Sequence, residues 1–172
     1  MIEIERPLAG EFNPYYQQYI DQVPKGNLLD ILARQGMEFG ALVKSVPEGR
    51  ASFRYEPAKW SVAQVVGHVN DAERIFTTRA LCFSRGEKAP LPSFDEKAYA
   101  AAAAADQRHI GDIGAEFEAI RRATIALFSG LTESMFAMGG VASGNPITVR
   151  ALAYIVAGHC FHHARILKER YL

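Results

Sequence analysis

The chain lacks three things that would each have classed it at once. It carries only two cysteines in 172 residues, Cys82 and Cys160, too few and too far apart for a disulfide framework or a cysteine-based metal knuckle. It has no surplus of charge, since 19 Lys and Arg stand against 19 Asp and Glu. A basic face that displaces counterions from phosphate is therefore not expected, nor is a nucleic-acid partner. It also has no long apolar run: Gly, His or a charged residue breaks every stretch short of the roughly 18 residues a membrane span needs. The start, Met1-Ile2-Glu3-Ile4-Glu5-Arg6, is acidic and lacks the basic-then-apolar order of a signal peptide. These absences lead to the expectation of a soluble, cytoplasmic protein in a reducing compartment, without membrane contact.

What is present is core-forming material. Hydrophobic residues make up 49% of the chain, and a chain of this length buries well over half the surface it exposes when unfolded. No internal repeat and no linker interrupts it, so residues 1–172 read as one domain.

The opening to about Pro24 is irregular, with an aromatic stretch from Phe12 to Tyr19 suited to a short helical turn. From Asn27, apolar residues at Leu28, Leu29, Leu32, Phe39, Leu42, Val43 and Val46 follow helical spacing, which Pro47 and Gly49 stop. Ser52 to Tyr55 reads as a short extended piece, because Pro57 disfavours helix before it. Ser61 and Gln64 form a capping-box pattern that opens a second helix. Its apolar face takes in Val65, Val69 or Ala72, Ile75, Phe76 and Leu81, and it ends near Arg85-Gly86. Residues 86–95 form a loop, and the run Ala98 to Ala105 favours helix. A third long helix is expected from Ile110 to Gly130. The glycine-rich text from Gly139 to Pro146 marks a long loop, and a fourth helix runs from Thr148 to about Arg170. Four long helices with few strand signals predict an all-α four-helix bundle.

Chemistry concentrates in the histidines. In Gly158-His159-Cys160-Phe161-His162-His163, His159 and His163 are four residues apart. On a helix this puts them on one face with Cβ atoms about 5–6 Å apart, close enough for both rings to bind one ion at about 2.0–2.1 Å. His68 lies on the second helix with Val65, Ala72 and Ile75 on its side and also points inward. Two ligands from one helix and one from another make a three-histidine site with positions left for water or substrate. The competing reading is that each ring is a core residue bonded to a backbone carbonyl, with His68 far from the other two.

The remaining candidates each have two readings. Asp71, three residues after His68, would orient a ligand ring or handle a proton; equally, it would pair with Arg74 or Arg79. Glu73 is a second carboxylate near His68. Arg79 and Arg122 would bind an anionic substrate or simply be solvated. His162 falls off the His159–His163 face, His109 sits at a helix start, and Cys160 and Cys82 read as packed thiols. No Glu follows His159, so the zincin arrangement is absent, and no repeated inward Glu-x-x-His supports a di-iron bundle.

Two strings carry a family resemblance. Arg54-Tyr55-Glu56-Pro57-Ala58-Lys59-Trp60-Ser61-Val62 is followed by Val66-Gly67-His68-Val69-Asn70-Asp71-Ala72-Glu73-Arg74. The tail holds Gly158-His159-Cys160-Phe161-His162-His163 and Glu169-Arg170-Tyr171-Leu172. Together with Arg79-Ala80-Leu81 and Glu116-Phe117-Glu118, these resemble the DinB/YfiT-like superfamily over nearly the whole chain. Cys160 departs from many relatives, which carry Glu or another polar residue there. The resemblance implies an up-up-down-down bundle, often dimeric, with a divalent metal, Zn or Ni, on His68, His159 and His163. It also implies metal-dependent hydrolysis or thiol S-transfer, with a small-molecule substrate or thiol as partner. Fold kinship does not choose between these and a non-catalytic metal-binding bundle.

Overall fold

In the computed structural model residues 3–172 are described; Met1 and Ile2, part of the acidic start, lie outside them. The aromatic stretch makes the expected turn. Asn13 caps a 3-10 turn at Pro14–Tyr16, which runs into the short helix α1 (Gln17–Ile20). Helix α2 (Leu28–Lys44) starts where the Asn27 side chain accepts the N–H groups of Leu29 and Asp30. Helix α3 (Val62–Ser84) opens on the expected capping box: Ser61 Oγ accepts from Gln64 N–H at 3.0 Å, and Gln64 Oε1 accepts from Ser61 N–H at 3.1 Å. These bonds satisfy donors that a helix N-terminus otherwise leaves unpaired. Ser52 to Tyr55 joins no strand.

Helix α4 (Glu96–Ala102) covers only the first part of the alanine run, which ends on a left-handed Ala104. Helix α5 (Ile110–Ser129) and the short α6 (Glu133–Ala137) follow. The Gly139–Pro146 stretch, expected to be a loop, is instead the greater part of a β-hairpin, β1 (Gly139–Ala142) against β2 (Asn145–Thr148). Its two-residue turn is Ser143-Gly144, both at positive φ (53° and 75°). That is the backbone a tight hairpin demands and Gly supplies without strain. Helix α7 (Val149–Ile166) then runs to a wider final turn at Leu167–Tyr171.

The four long helices form the expected bundle, in the order α2, α5, α3, α7 around its axis. Their directions differ from up-up-down-down. Gln35 meets Arg121 and Lys44 meets Glu118, so α2 and α5 are antiparallel. Asn70 meets Ile113 and Arg74 meets Glu116, so α3 and α5 are parallel. His68 reaches both His159 and His163 while Phe76 packs on His159, so α3 and α7 are antiparallel. The result is up-down-down-up. The cause lies in the connections. The 45–61 segment is pinned at one end of the bundle by Val62 N–H to Phe53 O and Ala63 N–H to Ala51 O, so it reverses the chain. The long 85–109 segment returns to the start of α3 before α5 begins, where Ser61 bonds Asp106.

The core has two apolar clusters, one centred on Leu28, Leu32, Phe83, Phe128 and Leu152, the other on Phe39, Val66, Ile113, Phe117 and Leu167. Ile75 is only half-buried and Leu81 is 41% exposed, so the apolar face of α3 is rotated from the expected one toward Val66, Val69, Phe76 and Phe83. No helix among the described residues is long and apolar enough to cross a membrane.

Candidate metal centre

Between the two clusters the core turns polar. His68, Glu73, Gln35, Arg121, His159 and His163 are all buried there. Buried polar groups need partners, and these find them in two adjoining sets.

The first set, an arginine-centred ring left open between α7 and α3, links all four long helices by hydrogen bonds. Arg121 on α5 forks onto Glu73 on α3, with Nε and Nη2 each donating at 2.8 Å to one carboxylate oxygen. Its Nη1 donates to Gln35 Oε1 at 2.8 Å and Leu32 O at 3.1 Å on α2. Gln35 Nε2 donates at 2.8 Å to Ala157 O on α7, two residues before His159. Burial alone would lower the Arg121 pKa, but the Glu73 carboxylate outweighs it and holds the guanidinium charged. Cys160 packs beside this pair, and burial pushes its thiol up to about 12, so it is the inert packed thiol expected.

The second set is the histidine triad. The α3–α7 contact brings His68 onto the His159–His163 face, with Nε2 of His159 3.0 Å from Nε2 of His68 and 3.1 Å from that of His163. All three ligand atoms lie within 4.8 Å of one another, and no Asp, Glu or Cys among the described residues joins the group. The core-residue reading, with His68 far away and each ring on a carbonyl, is therefore set aside. Burial lowers the pKa of all three: His68 falls to about 4, with His162 adding a smaller repulsion. His159 and His163 fall well below the usual imidazole value, again chiefly through burial and then through neighbouring rings.

Neutral rings with converging nitrogens suit a cation. The Nε2 of a neutral imidazole has a single in-plane site, a proton or a lone pair. Two other Nε2 atoms approach the His159 nitrogen, and one hydrogen cannot satisfy both contacts. A divalent ion would take all three lone pairs. The 3.0 and 3.1 Å spacings fit nitrogens about 2.0–2.1 Å from one ion. Imidazole sets of this kind suit Zn, Ni, Cu or Fe better than Mg or Ca. The Nδ1 of His163 is buried with no hydrogen-bond partner.

Aromatic rings wall the triad. Trp60 packs on His68 with ring centroids 4.7 Å apart, while Phe76 and Tyr19 flank His159 at 5.9 and 5.5 Å. Tyr19 gets there because α1 lies directly on α7 at Gly158: a Cβ at that position would stand 2.1 Å from Tyr19 O. His162 is half-buried between Tyr19 and His163, outside the converging nitrogens.

The other sequence candidates fall elsewhere. Asp71 is half-buried with Arg74, Glu116 and Arg108 as its charged neighbours, and burial raises its pKa; it is not in the triad group. Glu73 serves the arginine ring. Arg79 donates to Pro92 O and Ser143 Oγ and so ties α3 to the loops. Arg122 is exposed, and His109 is a solvated ring at the start of α5, 3.3 Å from Glu48. Cys82 is half-buried.

Comparison with known proteins agrees with the bundle fold. The family model described as the DinB superfamily matches residues 31–167. The chain belongs to the DinB superfamily. Among solved structures, it is similar to YfiT from Bacillus subtilis, described as a probable metal-dependent hydrolase with an unusual four-helix bundle topology. That likeness has a TM-score of 0.75 at 19% identity and covers 96% of this chain and 90% of that one. At that identity it speaks for the fold of this DinB-superfamily chain. Comparison with curated proteins finds no match.

Proposed function

We propose that this DinB-superfamily chain is a metal-dependent hydrolase in which His68, His159 and His163 hold one divalent ion, Zn or Ni. The observation that carries the reading is the convergence of three buried imidazole nitrogens, 3.0 and 3.1 Å apart about His159. A bound ion supplies Lewis acidity and brings the pKa of a coordinated water toward neutrality. The chain does the rest. Burial keeps the three rings uncharged, so their lone pairs are free for a cation at neutral pH. Trp60, Phe76 and Tyr19 pack against His68 and His159 and fix their ring orientations. The arginine ring anchors the Ala157 carbonyl and so holds α7 in the rotation that points His159 inward. Three protein ligands leave further positions for small molecules, as reactive sites do and closed structural sites do not.

The test is elemental analysis of protein purified without an affinity tag, beside His68→Ala and His163→Ala. About one metal per chain, lost in both variants, is expected. Metal absent after incubation with Zn²⁺ and Ni²⁺ would refute the reading. Turnover that requires a low-molecular-weight thiol would replace hydrolysis with thiol transfer at the same site.

A further inference from the structure

The triad is not sealed. His163 lines an open pocket of about 490 Å³ beside the metal centre, within the size range of small-molecule sites, about 300–1,000 Å³. Its walls are aromatic and aliphatic: Tyr55, Trp60, Val65, Ile166 and Tyr171. The aromatic part is pre-formed. The Tyr171 hydroxyl donates to Trp60 O at 2.8 Å, and the Tyr171 ring meets the Tyr55 ring edge-on with centroids 4.9 Å apart. Trp60 in turn packs on His68. A flat or extended apolar group entering this pocket lies against rings that are already held, so little side-chain freedom is lost on binding.

The mouth is charged and unpaired. Lys59, Glu96 and Lys97 line the same pocket and are exposed. None of the three is in an ion pair among the described residues. The Lys59 ammonium rests near the Tyr55 ring, 6.0 Å from its centroid. Glu96 also acts electrostatically on Tyr16 and Tyr19, which places its charge toward α1. Two cations against one anion leave the mouth with an excess of one positive charge, over a pocket whose inner end is a metal ligand.

We infer that this pocket binds an aryl or acyl monocarboxylate, its apolar body against Trp60, Tyr55 and Tyr171, its carboxylate at Lys59 and Lys97, and its other end toward His163. The inference rests on the metal reading only for the reacting end; the body and the carboxylate are recognised by protein atoms alone. Glu96 sets the limit at one carboxylate, since a second would be repelled. A neutral ligand of the same shape keeps the apolar contacts and loses the charge.

Trp60 is the sole tryptophan of the chain, so its fluorescence reports this pocket directly. The experiment titrates full-length protein with 3-phenylpropionate and with the isosteric 3-phenylpropanamide, once after EDTA treatment and once loaded with Zn²⁺. The expected result is a change in Trp60 emission with the carboxylate bound at least fivefold more tightly than the amide, in both preparations. That preference should shrink on raising NaCl from 20 to 500 mM, and should fall within twofold in a Lys59→Gln/Lys97→Gln variant. Both lysines are exposed, so the fold is not at risk. Equal affinities for the two compounds would overturn the inference. So would a carboxylate preference that survives the double substitution or appears only with Zn²⁺, and so would silence of Trp60 toward both. Lysine-dependent carboxylate binding by a protein that takes up no metal would support the pocket and sink the metal reading. One Zn²⁺ per chain with no preference for the carboxylate would do the reverse.

Discussion

Replacing Arg121 with Met removes the centre of the polar ring and leaves Glu73 stranded. The two side chains are 3% and 2% exposed, so water cannot take over. The variant loses a bidentate charge pair, the donor to Gln35 Oε1 and the donor to Leu32 O. Removing one partner of a buried ion pair costs about 3–5 kcal/mol, because the other is left as an uncompensated charge. Against a total stability of about 5–15 kcal/mol, that is a fifth or more. With a urea slope of about 2 kcal/mol per molar, the midpoint should fall by about 1.5–2.5 M, followed by circular dichroism. The double variant Arg121→Met/Glu73→Leu tests the cause. It removes both charges and leaves Gln35 still donating to Ala157 O, so most of the loss should return, with a coupling of at least about 2 kcal/mol. A single-variant loss below about 1 kcal/mol would refute the argument. A double variant as unstable as the sum of the two single losses would refute it too.

Acid should destabilise the metal-free protein well above the carboxylate range. The folded imidazole pKa values are lowered, so below about pH 6.5 the unfolded chain binds more protons, and stability present at pH 7 is lost as pH falls. With His68 at about 4, that ring alone removes about 2 kcal/mol between pH 7 and 5, and His159 and His163 act in the same direction. Urea midpoints after chelation should show this, and His68→Asn should flatten the slope; equal midpoints at pH 7 and 5 would count against neutral, buried rings. Gly158→Ala puts a methyl 2.1 Å from Tyr19 O. Overpacking against backbone should cost about 1–3 kcal/mol and weaken Zn²⁺ binding by shifting Tyr19 off His159; a wild-type midpoint with wild-type affinity would refute that close approach. Ser61→Ala removes the α3 cap and the bond to Asp106, for a loss of about 1 kcal/mol. For a chain of this size that lowers the melting temperature by about 2–4 °C, and an unchanged thermal scan would show that the cap contributes nothing.

The bundle was legible wherever one helix declared itself. The Ser61–Gln64 box, the apolar period from Leu28 and the His159–His163 spacing all act within one or two turns, and each appears as read. What depends on the connections was not legible. Nothing within a helix states its direction relative to the next, so the up-down-down-up order emerges only from the pinned 45–61 segment and the returning 85–109 segment. The hairpin was hidden because Gly139 and Gly140 are poor strand formers, although Ser143-Gly144 is a two-residue turn signal. Asp71 was singled out for sharing a helix side with His68, yet its charged neighbours are Arg74, Arg108 and Glu116. The ring centres on the buried Arg121 and not on its exposed neighbour Arg122. The signal was there: Arg121 follows Phe117 by four residues and precedes Phe128 by seven, a charged residue on a core stripe.

That ring and the triad belong to one layer. An apolar bundle tolerates small slides and rotations of its helices, because one aliphatic contact replaces another at little cost. A metal site does not, since ligand nitrogens must stay within a few tenths of an ångström of their places. The Arg121 fork meets both Glu73 oxygens in only one rotation of α5 against α3, and Gln35 reaches Ala157 O in only one register of α2 against α7. Each mismatch would strand a buried charge or amide, at about 1–3 kcal/mol or more apiece. The ring therefore converts a tolerant core into a fixed one at the height where α3 and α7 bring His68 to His159 and His163. The double variant separates the two roles. With both charges replaced by apolar groups the bundle should keep most of its stability, while its affinity for Zn²⁺ falls, because the rotation of α3 against α5 is no longer fixed. Undiminished Zn²⁺ affinity in that stable variant would show that the triad holds its geometry without the ring.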